Sequence, residues 1–265
     1  MKQEKETNYD LTKLLENDNE SFYWVGFLLA DGWFSQNSQQ MSLEINNKDY
    51  DHLFKFKKFV NFKNEIDHRE VKTKTSNNTS CRIRFCDKIV VKQIVNKFHI
   101  KPNKTYNPPD INDYESNFNK NQILSLIAGY IDGDGSIVKT PKSDKRVFLS
   151  IAIHKNWVHI LEFFKKYISN RSTIHIWGDM SFLRLGVNSE LKTLKTNLTA
   201  LKLPLLERKW DRIDINHNNS HEKSQNIKIQ CLELYNSGKT PKEISQLLNY
   251  DLSHTYRIIK KYAIK

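Results

Sequence analysis

Residues Tyr23–Ser35 read YWVGFLLADGWFS, and residues Leu126–Val138 read LIAGYIDGDGSIV. Aligned on their glycines, Gly26 falls on Gly129, Ala30 on Gly133, Asp31 on Asp134 and Gly32 on Gly135, an offset of 103 residues. A repeat at that spacing constrains the fold strongly, because it calls for two like units built on one plan. Each copy is an apolar helix ending in Asp-Gly. A carboxylate there faces the negative end of the helix dipole, so the ending needs a physical reason.

The segments that follow each copy also correspond. MSLEINNKDYDHLFKFKKFV and VFLSIAIHKNWVHILEFFKKYI both read as an alternating strand followed by an amphipathic helix. SCRIRFCD and MSFLRLGV supply further strands, and KIVVKQIVNKF and SELKTLKTNLTAL the next helices. Pro-containing basic segments, IKPNKTYNPP and LKLPLLERKW, close the copies. The expected class is α+β, with an αββαββα half over residues 1–112 and a second, pseudosymmetric one over 113–215. The polar stretch 216–226 reads as a linker. Residues 227–265 read as three short helices with tight turns, a helix-turn-helix pattern. Gly238 ends its first helix, Thr240 and Pro241 open the second, and Ser253 is the expected cap of the third. That last helix carries His254, Arg257, Lys260 and Lys261, the residues expected to contact DNA.

Small residues four apart lie on one helix face, as Gly26 and Ala30 do, and Gly129 and Gly133. Packed through those faces, two helices approach almost backbone to backbone. Asp31 and Asp134 then meet near a pseudo-twofold axis. Paired carboxylates repel, and a divalent cation relieves the repulsion. Hard oxygen ligands together with substrate phosphates suit Mg²⁺, with Mn²⁺ or Ca²⁺ as substitutes, Ca²⁺ without cleavage. The chain holds 42 Lys+Arg against 30 Asp+Glu, a formal net charge of +12, which suits a polyanionic partner. No apolar run is long enough to span a membrane, and the charged start MKQEKETNYD has no secretory h-region, so an intracellular protein is expected. Cys81, Cys86 and Cys231 are odd in number and form no C-x-x-C pair, against both a disulfide framework and a zinc site.

WVGFLLADG and IAGYIDGDG resemble the two signature motifs of the LAGLIDADG homing endonucleases, in their single-chain form, and the likeness runs over about residues 15–215. The resemblance implies two sheets forming a saddle in the DNA major groove. It also implies cleavage of both strands across the minor groove, leaving short 3′ overhangs. It places the metal-binding aspartates at Asp31 and Asp134. The second motif keeps an earlier acid, Asp132, where the first has Leu29, so Asp132 is expected to be structural. Trp24 and Val25 depart from the usual motif start but remain apolar.

The resemblance further points to a polar residue after each first long strand, at Asn47 and His154, with Lys48 and Lys155 beside them. It points also to a basic residue in each closing segment, Lys104 and Lys209, which lie 73 and 75 residues beyond the motif aspartates. Asp31, Asp134, Lys104, Lys209, Asn47 and His154 form the expected catalytic set, and Lys48 and Lys155 are expected to contact DNA. Expected DNA-contacting positions are Gln39, Lys72, Lys74, Arg82 and Arg84 in the first half. In the second they are Lys139, Lys142, Lys145, Arg146 and Arg184. Trp33, after the first motif, has two readings, core or close to the DNA, and the core is expected. The implied activity is a monomeric, Mg²⁺-dependent, site-specific double-strand DNA endonuclease with a long target. Two other readings share these features: a non-catalytic DNA-binding regulator with a helix-turn-helix, and a group I intron maturase whose partner is intron RNA.

Overall fold

A computed structural model describes residues 8–72, 77–140, 143–214 and 220–262. The chain divides into two units, Met1–Asp214 and Ile215–Lys265. In the first unit, α1 (Asn19–Asp31) is capped by Asp18, whose carboxylate accepts from Ser21 N at 2.8 Å. There follow β1 (Gly32–Phe34), β2 (Gln40–Asn46), α2 (Tyr50–Phe59), β3 (Asp67–Lys72), β4 (Asn77–Cys86) and α3 (Lys88–Lys97). A single turn, α4 (Tyr114–Asn117), precedes the second copy.

That copy opens with α5 (Lys120–Asp134), held at its start by a reciprocal capping box between Asn119 and Gln122. It continues through β5 (Gly135–Thr140), β6 (Ser143–His154), α6 (Val158–Ile168), β7 (Thr173–Trp177), β8 (Met180–Leu185) and α7 (Asn188–Ala200). The order αββαββα therefore occurs twice. The closing segment ERKW, expected only as a basic segment, forms a short helix, α8 (Glu207–Trp210).

Each half makes an antiparallel sheet, in the orders β1-β2-β4-β3 and β5-β6-β8-β7. Alternation sends Met41, Leu43, Ile45, Cys81, Ile83 and Phe85 into the core from the first sheet, and turns the opposite face outward, with Arg84 and Asn46 exposed and Ser42, Ser80 and Arg82 covered by their neighbours. Leu149, Ile151, Ile153, Leu183 and Leu185 do the same in the second.

Helices α1 and α5 lie against each other through the expected faces. A Cβ on Gly26 would stand 2.7 and 2.9 Å from the C and Cα of Leu126, and closer still to its carbonyl oxygen. A Cβ on Gly129 would meet the Tyr23 carbonyl and stand 2.7 Å from Phe27 N. The 103-residue offset relates Tyr23 to Leu126 and Gly26 to Gly129, so these two contacts are images of one another. Ala30 and Gly133 are also related by the offset, and they face each other directly, so the pseudo-twofold axis passes between them.

The second unit contains α9 (Ser220–Asn236), α10 (Pro241–Leu247) and α11 (Leu252–Tyr262), packed on Cys231, Ile244 and Ile259. Helix α9 begins inside the stretch read as linker. Only its Asn-rich start disfavours helix, whereas Glu222, Lys223 and Gln225 are good helix formers. Thr240 and Glu243 form a capping box at α10, and Gly238 takes a positive φ of 89° after α9. Asp251, not Ser253, caps α11: its carboxylate accepts from His254 N at 2.9 Å and from the Ser253 hydroxyl at 2.5 Å. No helix among the described residues is long and apolar enough to cross a membrane.

Because Gly26 and Gly129 abut backbone that cannot swing aside, Gly26→Ala or Gly129→Ala should cost about 3 kcal/mol, the upper end for overpacking. Gly186→Ala, whose Cβ would meet only Phe148 Cβ at 4.0 Å, should change stability by less than about 0.5 kcal/mol. Chemical denaturation of the three variants checks the contrast.

Candidate active site at the paired helix ends

The close approach at Ala30 and Gly133 brings the C-terminal ends of α1 and α5 side by side. Asp31 Oδ2 lies 3.3 Å from the position a Gly133 Cβ would take. Asp134 is exposed, and the Tyr130 hydroxyl donates to its Oδ2 at 3.3 Å. Burial and the charge of Asp134 raise Asp31 to a pKa of about 6, against the pull of Lys209 and Lys104. Two carboxylates offer a hard cation only part of its shell, and no cluster of three His, Cys, Asp or Glu is found among the described residues. That donor set suits a hard divalent cation that keeps several waters in its shell.

The two lysines of the closing segments sit at the same helix ends. Lys104 Nζ donates to the carbonyls of Leu29, at 2.7 Å, and Ala30. Lys209 Nζ donates to Ile131 (3.0 Å), Asp132 (2.5 Å), Gly133 (2.9 Å) and Gly135 (2.7 Å). All but that of Gly135, the first residue of β5, are last-turn carbonyls, which lack helical partners, and an ammonium there opposes the negative dipole end. Burial pulls both lysines down, and the nearby carboxylates push them back up.

Asp132 points away from this pair into the interior. It accepts from the Tyr23 hydroxyl at 2.7 Å, Leu206 N at 2.8 Å and Trp210 Nε1 at 2.7 Å. Tyr23 also bonds His52 Nε2 at 2.9 Å, and burial lowers His52 to about 3, so the ring is neutral. The network joins α1 and α2 of the first half to α5 and α8 of the second. Sequence reasoning missed Tyr23 and His52; the available signal was a histidine at an apolar position of α2.

The closing segments also cross over. Lys104 O and Thr105 O accept from Trp157 Nε1 at 2.8 and 3.1 Å. In the other direction, Arg208 forms a two-pronged ion pair with Asp49.

A cleft flanks each helix end. One, of about 400 Å³, is lined by Asp31, Asn46, Lys48, Gly133 and Arg208 among others. The other, of about 350 Å³, is lined by Asp134, Lys104, Tyr106 and His154. Strand register makes Asn46, not Asn47, the counterpart of His154. Gly32 pairs with Leu43 and Gly135 with Ile151, and Asn46 and His154 each lie three residues further on. Each also caps the turn that follows, Asn46 accepting from Lys48 N and His154 from Asn156 N. Asn47 lies one residue past the strand, with its Oδ1 buried and without a hydrogen-bond partner. A one-residue slip along a strand moves a side chain to the other face.

Comparison with solved structures finds a lysine-to-alanine variant of I-SmaMI at 16% identity and a TM-score of 0.50, covering 72% of this chain and 87% of that one. The meganuclease I-SmaMI bound to uncleaveable DNA with a TTCT central four is similar at 16% identity and a TM-score of 0.50, covering 77% and 95%. The chain has the LAGLIDADG meganuclease fold. The LAGLIDADG meganuclease I-AabMI, bound to uncleaved DNA, is also similar, at 13% identity and a TM-score of 0.48, covering 78% and 91%. No protein-family model and no curated protein matches.

Several residues expected to contact DNA stand differently within this meganuclease fold. Arg84 and Arg184 are exposed on the solvent faces of the two sheets. Arg82 shares the Arg84 face but is 8% exposed, and its Nη2 donates to Asp67 at 3.3 Å. Gln39 lies in the turn before β2, not in a strand. Lys139 is exposed but shares the face of Ile137, opposite to Arg184, because strand side chains alternate. Lys48 and Lys155 are exposed after β2 and β6, and Lys155 pairs with Asp179 at 2.6 Å. Lys72, Lys145 and Arg146 lie in strands, and their side chains fall outside the described part. Lys74 and Lys142 lie outside the described residues. In the second unit, His254, Arg257, Lys260 and Lys261 are all exposed on α11. Trp33, expected in the core, is 50% exposed, because it alternates with the buried Phe34 on β1 and lines a cleft with Asp31 and Lys104.

Lys209 serves four carbonyls and Lys104 two, so their removal should not cost the same. Lys209→Met is expected to lower stability by about 3 kcal/mol and Lys104→Met by about half that, at charge-assisted bond values. Urea unfolding of the two variants measures the difference.

Proposed function

We propose that this chain is a site-specific double-strand DNA endonuclease that hydrolyses phosphodiesters with divalent metal between the two motif helices. The observation that carries the reading is the pairing of Asp31 and Asp134 at helix ends that the packing forces together. A binding surface alone gains nothing from two carboxylates held close enough for one to raise the other. Asp31 and Asp134 would hold the cation, which when bound supplies charge stabilisation at the phosphate and an acidified water. Lys104 and Lys209 keep the helix ends fixed and hold positive charge beside the phosphates. Asn46 and His154 border the two clefts, at the right places to orient a phosphate oxygen or a water in each. The fold is shared with I-SmaMI, whose structure with uncleaveable DNA is that of a protein on its nucleic acid. In this proposal the C-terminal unit adds a second DNA contact through α11, and the enzyme works as a monomer on a long target with Mg²⁺.

Selection of cleaved molecules from a randomised duplex library with Mg²⁺ tests activity and defines the site. Asp31→Asn and Asp134→Asn should each lower double-strand cleavage by at least about a thousandfold while binding is kept, since each removes a carboxylate that no neighbour replaces. Normal cleavage by both variants would overturn the proposal.

Cation binding should also depend on pH in a defined direction. Asp31 titrates at about 6, above its ordinary value, so below that pH it is neutral and must lose its proton to serve as a ligand. Ca²⁺ affinity should be flat above pH 7 and fall towards tenfold per unit below pH 6. Calorimetry at pH 6 in buffers of different ionisation enthalpy should detect a released proton.

A further inference from the structure

Strand pairing lets the solvent faces of the two sheets be compared position by position. Across the first sheet run the rows Ser42–Arg84, Glu44–Arg82–Asp67 and Asn46–Ser80–Arg69. The matching rows of the second are Ser150–Arg184, Ala152–Phe182–His175 and His154–Met180–Trp177. The Ser–Arg pairs of the outer row are alike in the two sheets, but Trp33 stands beside Ser42 on β1 where Ser136 stands beside Ser150 on β5. In the rows nearer the helix ends, Glu44 is replaced by Ala152, Arg82 by Phe182, Ser80 by Met180 and Arg69 by Trp177. Across these inner rows four polar or charged positions of the first half become apolar in the second, while His154 and His175 stay polar. Trp177 is 82% exposed, where a core aromatic would be covered. An apolar cluster left open on a sheet that also carries Arg184, in a chain of net charge +12, suits a partner both anionic and locally apolar.

Major-groove DNA has that combination. Thymine alone among the bases presents a methyl group there, and Ala, Thr and Phe side chains are the usual contacts to it. We propose that Ala152 and Phe182, together with Met180 and Trp177 of the next row, read thymine C5-methyl groups in one half of the target. The inner rows of the first sheet, with Glu44, Asp67 and Arg69, make no such contact, and its exposed Trp33 stands apart from them, in the row of Ser42. The Arg184 guanidinium lies 5.4 Å from the Phe182 ring centroid, so it holds a positive charge over the apolar patch for the phosphates beside it. This inference rests on the proposed DNA-cleaving function.

The test replaces each thymine of a selected target by deoxyuridine, which removes the methyl and keeps every hydrogen bond. In one half-site, substitutions should weaken binding by the full-length protein about fourfold each, the worth of one buried methylene. In the other half they should leave binding unchanged. In Phe182→Gln and Trp177→Gln, both on a solvent face, the deoxyuridine penalty should shrink or vanish while the other half-site is still bound. No deoxyuridine effect in either half, or an undiminished effect in both variants, would overturn the inference and leave cleavage intact. Failure to select any DNA would instead sink the underlying function. A change of oligomeric state in Trp177→Gln without a change in thymine discrimination would show that a second copy covers this face, and would also overturn it.

Discussion

Two helices can touch backbone to backbone only where neither carries a side chain in the way. In this fold that condition is met by Gly26 against Leu126, Gly129 against Tyr23, and Ala30 against Gly133. Everything else in the first unit is arranged around that seam. The pseudo-twofold axis runs through its last contact, so the next residue of each helix, Asp31 or Asp134, has nowhere to go but beside its counterpart. Both sheets start immediately afterwards, at Gly32 and Gly135, which sets the distance between each sheet and the acids. A methyl group on the seam would therefore displace the carboxylates and the sheets together.

The electrostatic cost of that seam is large. Two acids lie at the negative ends of two dipoles, one of them buried enough to titrate at about 6. The compensation comes from the ends of the halves, not from their beginnings: Lys104 and Lys209 reach back and occupy the last-turn carbonyls. The exchange of closing segments, through Trp157 and through Arg208, ties each half's lysine to the other half's fold. Asp132 is a different kind of acid. Three donors satisfy it inside the core, one of them the Tyr23 hydroxyl that a neutral His52 also bonds, so it anchors α8, and hence Lys209.

The repeat made the architecture legible. Matched glycines, matched strands and matched closing lysines are local patterns, and the architecture follows from local patterns plus symmetry. What was illegible depended on register or on distant partners. The slip from Asn46 to Asn47 is a single residue at a strand end, where sequence spacing has no marker but pairing does. Trp33 looked like core because it is aromatic beside a core helix, yet alternation on a three-residue strand turns it outward. Arg82 looked free because its neutraliser, Asp67, is fifteen residues away on another strand. Tyr23, His52 and Asp132 come from three segments up to 109 residues apart, and no spacing rule connects them.

A duplicated scaffold need not be chemically symmetric, and the two kinds of position here differ in how free they are. Seam residues contact their own images, so each change is met by backbone that cannot yield. Solvent-face strand residues contact mainly their neighbours in the same row, and their replacement leaves the core face of the same strand untouched. The Ser42–Arg84 and Ser150–Arg184 pairs are alike, though Trp33 stands beside the first and Ser136 beside the second. The inner rows run from Glu, Arg and Asp in one sheet to Ala, Phe and His in the other. The part of the molecule that holds the acids together is bound by the symmetry, and the outward faces of the sheets are not. A pseudosymmetric pair of acids flanked by two unlike surfaces suits a partner with two equivalent bonds to break and two different sequences around them.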